Sequence, residues 1–170
     1  MHRMICKPIQ KLISDWFSMQ IATLRAHKSF VKGVAWDPIG AYLASEGDDK
    51  AAVVYTTSSW EETDKLMDSL RVMDSTTHST RLAWSPDGQY LALCNSRVPE
   101  TSTYMAPIHR RTNGFVHENS FIGHSRAVAV VHFNPCFFKS PQGELEVVSA
   151  VADNVRSTLS ALIVIVKIEA

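Results

Sequence analysis

The sequence predicts an all-β fold, a partial β-propeller of about three four-stranded antiparallel blades. Three observations carry that prediction. The phrase VAWDPIGAYLA at residues 34–44 returns as LAWSPDGQYLA at 82–92, and a weaker echo, VVHFNP, stands at 130–135. In each copy a proline comes two residues after an aromatic, behind a residue that starts turns well. Short β-rich runs flank the copies, as VKGVAW and AYLAS do in the first.

Aligned on the aromatic, Trp36, Trp84 and Phe133 lie 48 and 49 residues apart, followed by Pro38, Pro86 and Pro135. The residue before each proline is Asp37, Ser85 or Asn134, and Gly40 and Gly88 close the first two turns. Asp or Ser at the first position, Pro at the second and Gly at the fourth is the residue choice of a type I turn. A strand, this turn and a second strand make a β-hairpin. The third copy has Phe137 where the glycine should be, so Pro135 is expected in a turn of a different kind.

Upstream of the hairpin a second registration appears. His27 precedes Val31, Val34 and Trp36 by four, seven and nine residues, and His124 precedes Val128, Val131 and Phe133 by the same intervals. The middle copy departs, because His78 stands only six residues before Trp84. Downstream, Ser45 is followed by Asp49 four residues later and Tyr55 ten later. His, hairpin, Ser, Asp and aromatic in that order describe a WD40 blade, whose repeat is about 40–45 residues. The longer spacing here predicts extended loops. In the first blade His27, Ser45, Asp49 and Tyr55 are expected to form a buried hydrogen-bonded tetrad, because buried polar groups need partners. His124 is expected to play the matching structural part in the third.

The boundaries follow. Residues 1–21 read as the degenerate end of a preceding blade. Residues 22–139 hold the blades, about 22–70, 71–120 and 121–139 onward, and 140–170 read as the degenerate remainder of the third.

Composition narrows the chemistry. Seventeen basic and seventeen acidic residues balance, which argues against gripping nucleic acid by bulk charge. Cys6, Cys94 and Cys136 are odd in number and far apart, fitting a reducing compartment rather than a disulfide framework or zinc site. MHRMICKPIQ lacks the form of a secretory signal, and ALIVIV (161–166) is too short to span a bilayer, so no membrane role is expected. The histidines His109, His117 and His132 lack metal-ligand spacing. His109-Arg110-Arg111 reads as a solvated loop, and Glu46, Asp48 and Asp49 as a strand–strand turn. Ser, His and Asp also spell a hydrolase triad, but no G-x-S-x-G elbow or Gly-rich oxyanion loop accompanies Ser45. No cofactor, metal or small-molecule substrate is expected.

Three segments sharpen the reading. ATLRAHKSFVKGVAWDPIGAYLASEGDDK (22–50), TTHSTRLAWSPDGQYLA (76–92) and FIGHSRAVAVVHFNPCFFK (121–139) resemble the propeller of the HIRA/Hir histone chaperone family. The specific elements are WDPIG followed by YLAS and DDK, the SSW at 58–60, and GH followed by V-x-FNP and an aromatic pair. The chain departs from the family pattern at Ala51, Ala52 and Tyr55, at Phe115 where Trp is expected, and at Leu159, with the match fading beyond Lys139. The family propeller has seven blades, so the resemblance implies that this chain carries a part of one.

The resemblance further implies a non-enzymatic nuclear scaffold in replication-independent nucleosome assembly and transcriptional repression. Its partners would be core histones, an ubinuclein-type subunit and an anti-silencing-function chaperone, with chromatin contacted indirectly. Three other readings remain open at this point: a generic WD40 scaffold of another complex, a truncated or drifted product without chaperone activity, and a hydrolase that uses Ser45.

Overall fold

The computed structural model describes residues 21–70, 77–101, 103–139, 145–153 and 162–167, with side chains described through Phe133 except at Asn113. The expected boundary at 1–21 therefore lies outside the described residues save for Ile21. Of 140–170, only two strands are described.

Three antiparallel sheets follow one another along the chain. The first is a simple meander, with β1 (Val31–Trp36), β2 (Tyr42–Gly47), β3 (Ala51–Thr56) and β4 (Glu62–Leu66) in sequence order. The second contains β5 (Ala83–Trp84), β6 (Tyr90–Ala92), β7 (Ser96–Arg97), β8 (Tyr104–Arg110) and β9 (Val116–His124). A single helical turn, α1 (Thr112–Phe115), joins its last two strands. The third pairs β10 (Val128–Lys139), β11 (Leu145–Asp153) and β12 (Leu162–Lys167) in order.

The five strands of the second sheet reduce to four. β6 and β7 both pair with β8, and the register moves by one residue between Ala92↔Ile108 and Ser96↔Met105. They are two halves of one strand, interrupted by a bulge in which Asn95 adopts a φ of 56°. The Leu93 amide keeps the ladder going by donating to the Pro107 carbonyl at 2.9 Å. A four-stranded blade is thus preserved.

The two prolyl turns are built alike. Gly40 N–H donates to the Asp37 carbonyl at 3.1 Å, and Gly88 N–H to the Ser85 carbonyl at 2.9 Å. The starter side chain then caps the returning strand. Asp37 Oδ1 accepts from the Tyr42 amide at 3.0 Å, and Ser85 Oγ from the Tyr90 amide at 2.9 Å. Gly40 and Gly88 have φ of +72° and +69°, the left-handed region a side chain disfavours. The third copy differs. β10 runs without a break from Val128 to Lys139, and Pro135 sits inside it, where the register to β11 shifts between Phe133 and Phe137. The expectation of a turn at Pro135 is corrected to a bulge. No glycine follows to close a turn, and a bulge tolerates a residue that cannot donate to the ladder.

The core lies between sheets rather than within one. Ala44, Ala52, Val54 and Leu66 of the first sheet pack against Leu82, Trp84, Leu91, Leu93 and Phe115 of the second. Ala92, Cys94, Ala106, Ile108 and Phe121 of the second pack against Val128, Val131 and Phe133 of the third. Burying a side chain of this size contributes about 1.5–3 kcal/mol, so the blades hold one another. Their leading strands also run side by side. The Thr80 amide donates to the Lys32 carbonyl at 3.0 Å, and Arg81 bridges Val130 in parallel sense. Two four-stranded blades and a sheet with three described strands, stacked with their leading strands adjacent, make a partial β-propeller.

Candidate functional site

His27 lies in the extended segment before β1, Ser45 in the middle of β2, Asp49 in the β2–β3 turn and Tyr55 near the end of β3. The hairpin register brings them together. His27 Nδ1 lies 2.9 Å from Asp49 Oδ1, and His27 Nε2 lies 2.8 Å from Ser45 Oγ. An ionised carboxylate only accepts, so Nδ1 carries the proton and, in the neutral ring, the Ser45 hydroxyl donates to Nε2. The Tyr55 hydroxyl shares a hydrogen bond with Ser45 and reaches the Ala26 backbone. The Lys28 amide donates to Asp49 Oδ2 at 2.8 Å, so both carboxylate oxygens are engaged.

Burial raises the Asp49 carboxyl, but the Lys28 amide and the His27 hydrogen bond more than reverse this, leaving it below the usual carboxylate range. Ser45 and Tyr55 are buried. Ser45 is walled into a strand and 6% exposed, although its hydroxyl meets His27 Nε2 and His27 meets Asp49 as the same groups do in a hydrolytic triad. These hydrogen bonds join the entering segment to β2 and to the β2–β3 turn.

Gly47 is a member of this site that sequence reasoning missed. A Cβ there would stand 2.5 Å from both Asp49 Oδ1 and His27 Nδ1. The signal was present in the sequence, as a glycine two residues before the aspartate, but its reason is a contact only the fold creates.

A second polar centre lies at the seam between the first two sheets. Glu46 is fully buried, and its Oε2 accepts from the Cys94 amide at 3.1 Å. Burial pushes its carboxyl up to about 8, opposed in part by the Cys94 amide and by Lys32. Lys32 Nζ itself pairs with Asp48 Oδ1 at 2.7 Å. The acidic cluster read as a plain turn is thus divided: Asp49 serves the tetrad, Asp48 meets Lys32 and Glu46 bridges two blades.

The remaining predicted residues are distributed along the scaffold. Pro38, Gly40, Pro86 and Gly88 form two turns that lie together, since a Cβ on Gly88 would stand 3.6 Å from Pro38 Cδ. His124 is the last residue of β9, buried and paired in register with Tyr104. Pro135 lies in the β10 bulge. Arg110 and Arg111, read as a solvated run, make specific contacts. Arg111 stacks 4.5 Å from the Tyr42 ring centroid and lies 4.0 Å from Asp37, tying the blades across their turns. Arg110 faces Glu118 at 3.6 Å. Among the described residues no group of three or more His, Cys, Asp or Glu is placed to hold a metal. No helix among them is long and apolar enough to cross a membrane.

These features define a WD40-repeat protein, and the comparisons agree. Residues 18–56 match the family described as WD domain, G-beta repeat. The fold is similar to the solved structure of U3-55K, with a TM-score of 0.53 and 18% identity over 82% of this chain and 41% of that one. It is likewise similar to the crystal structure of the RRP9 WD40 repeats, with a TM-score of 0.52 and 18% identity over 82% and 40%.

Within the WD40 proteins the chain belongs to the HIRA/Hir family. It is 35% identical over 125 residues to Protein HIR1 of Cryptococcus neoformans, which covers 74% of this chain and 14% of that protein. It is 31% identical over 138 residues to Protein hir1 of Schizosaccharomyces pombe, covering 81% and 14%. The histone transcription regulator slm9 of the same yeast is 29% identical over 133 residues, covering 78% and 16%. The chain spans about one seventh of the length of these curated relatives.

Proposed function

We propose that the chain is a non-enzymatic WD40 scaffold that acts in histone and transcription regulation through protein contacts. The observation that carries this reading is the 35% identity to HIR1 over 74% of the chain. The relative named as a histone transcription regulator supports the same setting. On this reading the chain works in the nucleus within replication-independent nucleosome assembly. Its partners are core histones, an ubinuclein-type subunit and an anti-silencing-function chaperone, met at blade rims and loops.

His27, Ser45, Asp49 and Tyr55 act in this reading as a structural tetrad, with His124 as the structural histidine of the third blade. The burial of Ser45 favours that role over a hydrolytic one. Charge balance also fits contacts made by shaped surfaces rather than by a basic field.

The test is retention of purified core histones by the immobilised chain, beside a basic control protein of similar size. Selective retention of the histones is the expected result. Equal retention of both, or of neither, would overturn the histone assignment and leave a WD40 scaffold of another complex.

A further inference from the structure

A pair of histidines in the second sheet has no part in the tetrad. His109 on β8 and His117 on β9 are direct partners in the antiparallel register, and their ring centroids stand 5.6 Å apart. His109 takes the place that Tyr55 holds in the first blade. Leu43 pairs with Tyr55, and Leu91, its equivalent 48 residues on, pairs with His109. The Tyr55 hydroxyl finds Ser45 and the Ala26 backbone. His109 is 2% exposed, yet only one of its nitrogens finds a partner. Its Nε2 meets Ser69 Oγ at 2.7 Å, in the helical turn Asp68–Leu70 that follows β4. Its Nδ1 is buried and meets no hydrogen-bond partner among the described residues. Buried polar atoms in folded proteins are nearly always satisfied, so this one calls for a partner.

We propose that His109 and His117 hold a divalent cation of the zinc, nickel or copper class between them, through one Nδ1 from each ring, with water completing its shell. Imidazole suits those ions, whereas magnesium and calcium take oxygen ligands. The ring nitrogens are already sorted for the task. His117 Nε2 meets Ser120 Oγ at 2.9 Å, just as His109 Nε2 meets Ser69. Each ring commits its Nε2 to a serine hydroxyl and keeps Nδ1 for a ligand. A hydrogen bond on the far nitrogen is what fixes the tautomer and aim of a metal-bound histidine. With Zn–N at about 2.1 Å, two imidazoles on one ion hold their centroids roughly 5 Å apart, so the observed spacing needs only a small ring rotation.

The ion also has a way in. His117 is exposed and lines an open cavity of about 400 Å³ with Arg110, Thr112, Val116 and Glu118. Arg110 alone would repel a cation, but Glu118 lies 3.6 Å from it and offsets its charge. Burial, helped by the neighbouring His117, pushes His109 down to about 4, so its ring is neutral at pH 7 and its lone pair is available to a metal. A bound ion ties β8 to β9 and, through Ser69, to the turn after β4. Because it binds only the folded chain, it raises stability.

The experiment is titration of the intact chain with zinc chloride, followed by nitrogen NMR of the histidine rings and by thermal denaturation, with magnesium chloride as the control. Zinc is expected to shift Nδ1 of His109 and His117, to leave Nε2–H of both rings protonated and to raise Tm. Magnesium is expected to do none of these. His117→Gln removes one ligand at an exposed position and should stay folded, with an unchanged far-ultraviolet dichroism. It should weaken zinc binding by more than about tenfold, since loss of even an outer-shell partner typically costs that much, and it should abolish the gain in Tm. A folded His117→Gln that binds zinc as tightly as the wild type overturns the inference. So do ring shifts confined to other histidines, an equal response to magnesium, or a wild type that binds no zinc.

Discussion

Trp36 and Trp84 occupy the same position in consecutive copies of one hairpin, yet only Trp84 is a core residue. Trp84 packs edge-on against Phe115 at 5.7 Å and donates its indole N–H to the Ala35 carbonyl at 3.2 Å. Trp36 is 56% exposed and makes an edge contact with Trp60, ring centroids 6.0 Å apart. Substitution should expose the difference. Trp84→Ala is expected to cost about 3–5 kcal/mol, the range for a truncated core aromatic. Trp36→Ala is expected to stay within about 0.5 kcal/mol, as for surface changes. Urea denaturation at low protein concentration measures both.

Gly33 marks the closest backbone approach of the first two blades. A Cβ there would stand 2.6 Å from the Thr80 carbonyl oxygen and 2.8 Å from Leu82 Cδ2. One of these contacts is backbone and cannot swing away. Gly33→Ala is expected to lower stability by about 1–3 kcal/mol, the usual cost of overpacking. The amide of Thr80 should lose hydrogen-exchange protection, since it donates to Lys32 across the same seam.

The Gly40 turn offers a milder test. With φ at +72° and nothing within 4 Å of an added Cβ, Gly40→Ala strains the backbone without any clash. The expected cost is about 1–2 kcal/mol, the penalty of the left-handed region. Thermal denaturation of the variant measures it.

Glu46 and Asp49 set opposite pH dependences. The Glu46 carboxyl rises from 4.5 to about 8 in the folded chain, so the unfolded state holds fewer protons between those values. Its contribution to stability is full below about 4.5 and declines as pH rises toward about 8. Asp49 is lowered instead, so its contribution is present above the unfolded value of 3.8 and lost as pH falls through the folded one. Glu46→Gln is expected to abolish the decline toward pH 8, because an amide oxygen still accepts from Cys94 but carries no charge. Stability curves of wild type and variant between pH 5 and pH 8 decide this; parallel curves would contradict it.

What the sequence made legible was whatever sits at a fixed offset. The prolyl turns of Pro38 and Pro86 depend on four consecutive residues, and the intervals from His27 to Ser45, Asp49 and Tyr55 depend on one hairpin. Local chemistry settles such features. Glu46 was misread because its hydrogen-bond partner is the Cys94 amide on another blade, 48 residues away. Arg111 was misread for the same reason, since Tyr42 lies across the seam. The bulge at Asn95 has no residue signature, as asparagine also suits ordinary turns. Pro135 looked like a turn because two earlier prolines were turns. The missing glycine was the discriminating sign, and its consequence was a bulged strand.

The functional reading turns on whether His27, Ser45, Asp49 and Tyr55 fasten a binding platform or run a reaction. Ser45→Ala removes the hydroxyl that meets His27 Nε2 and leaves a buried ring nitrogen without that partner. One such bond contributes about 0.5–1.5 kcal/mol, and a loss near 1 kcal/mol lowers Tm by about 2–4 °C in a chain of this size. The direct measurement is thermal denaturation of wild type and Ser45→Ala beside hydrolysis of an activated ester by both. The account predicts a lowered Tm in the variant and ester hydrolysis by neither protein above the buffer rate. Wild-type turnover abolished by Ser45→Ala, with Tm unchanged, would contradict it.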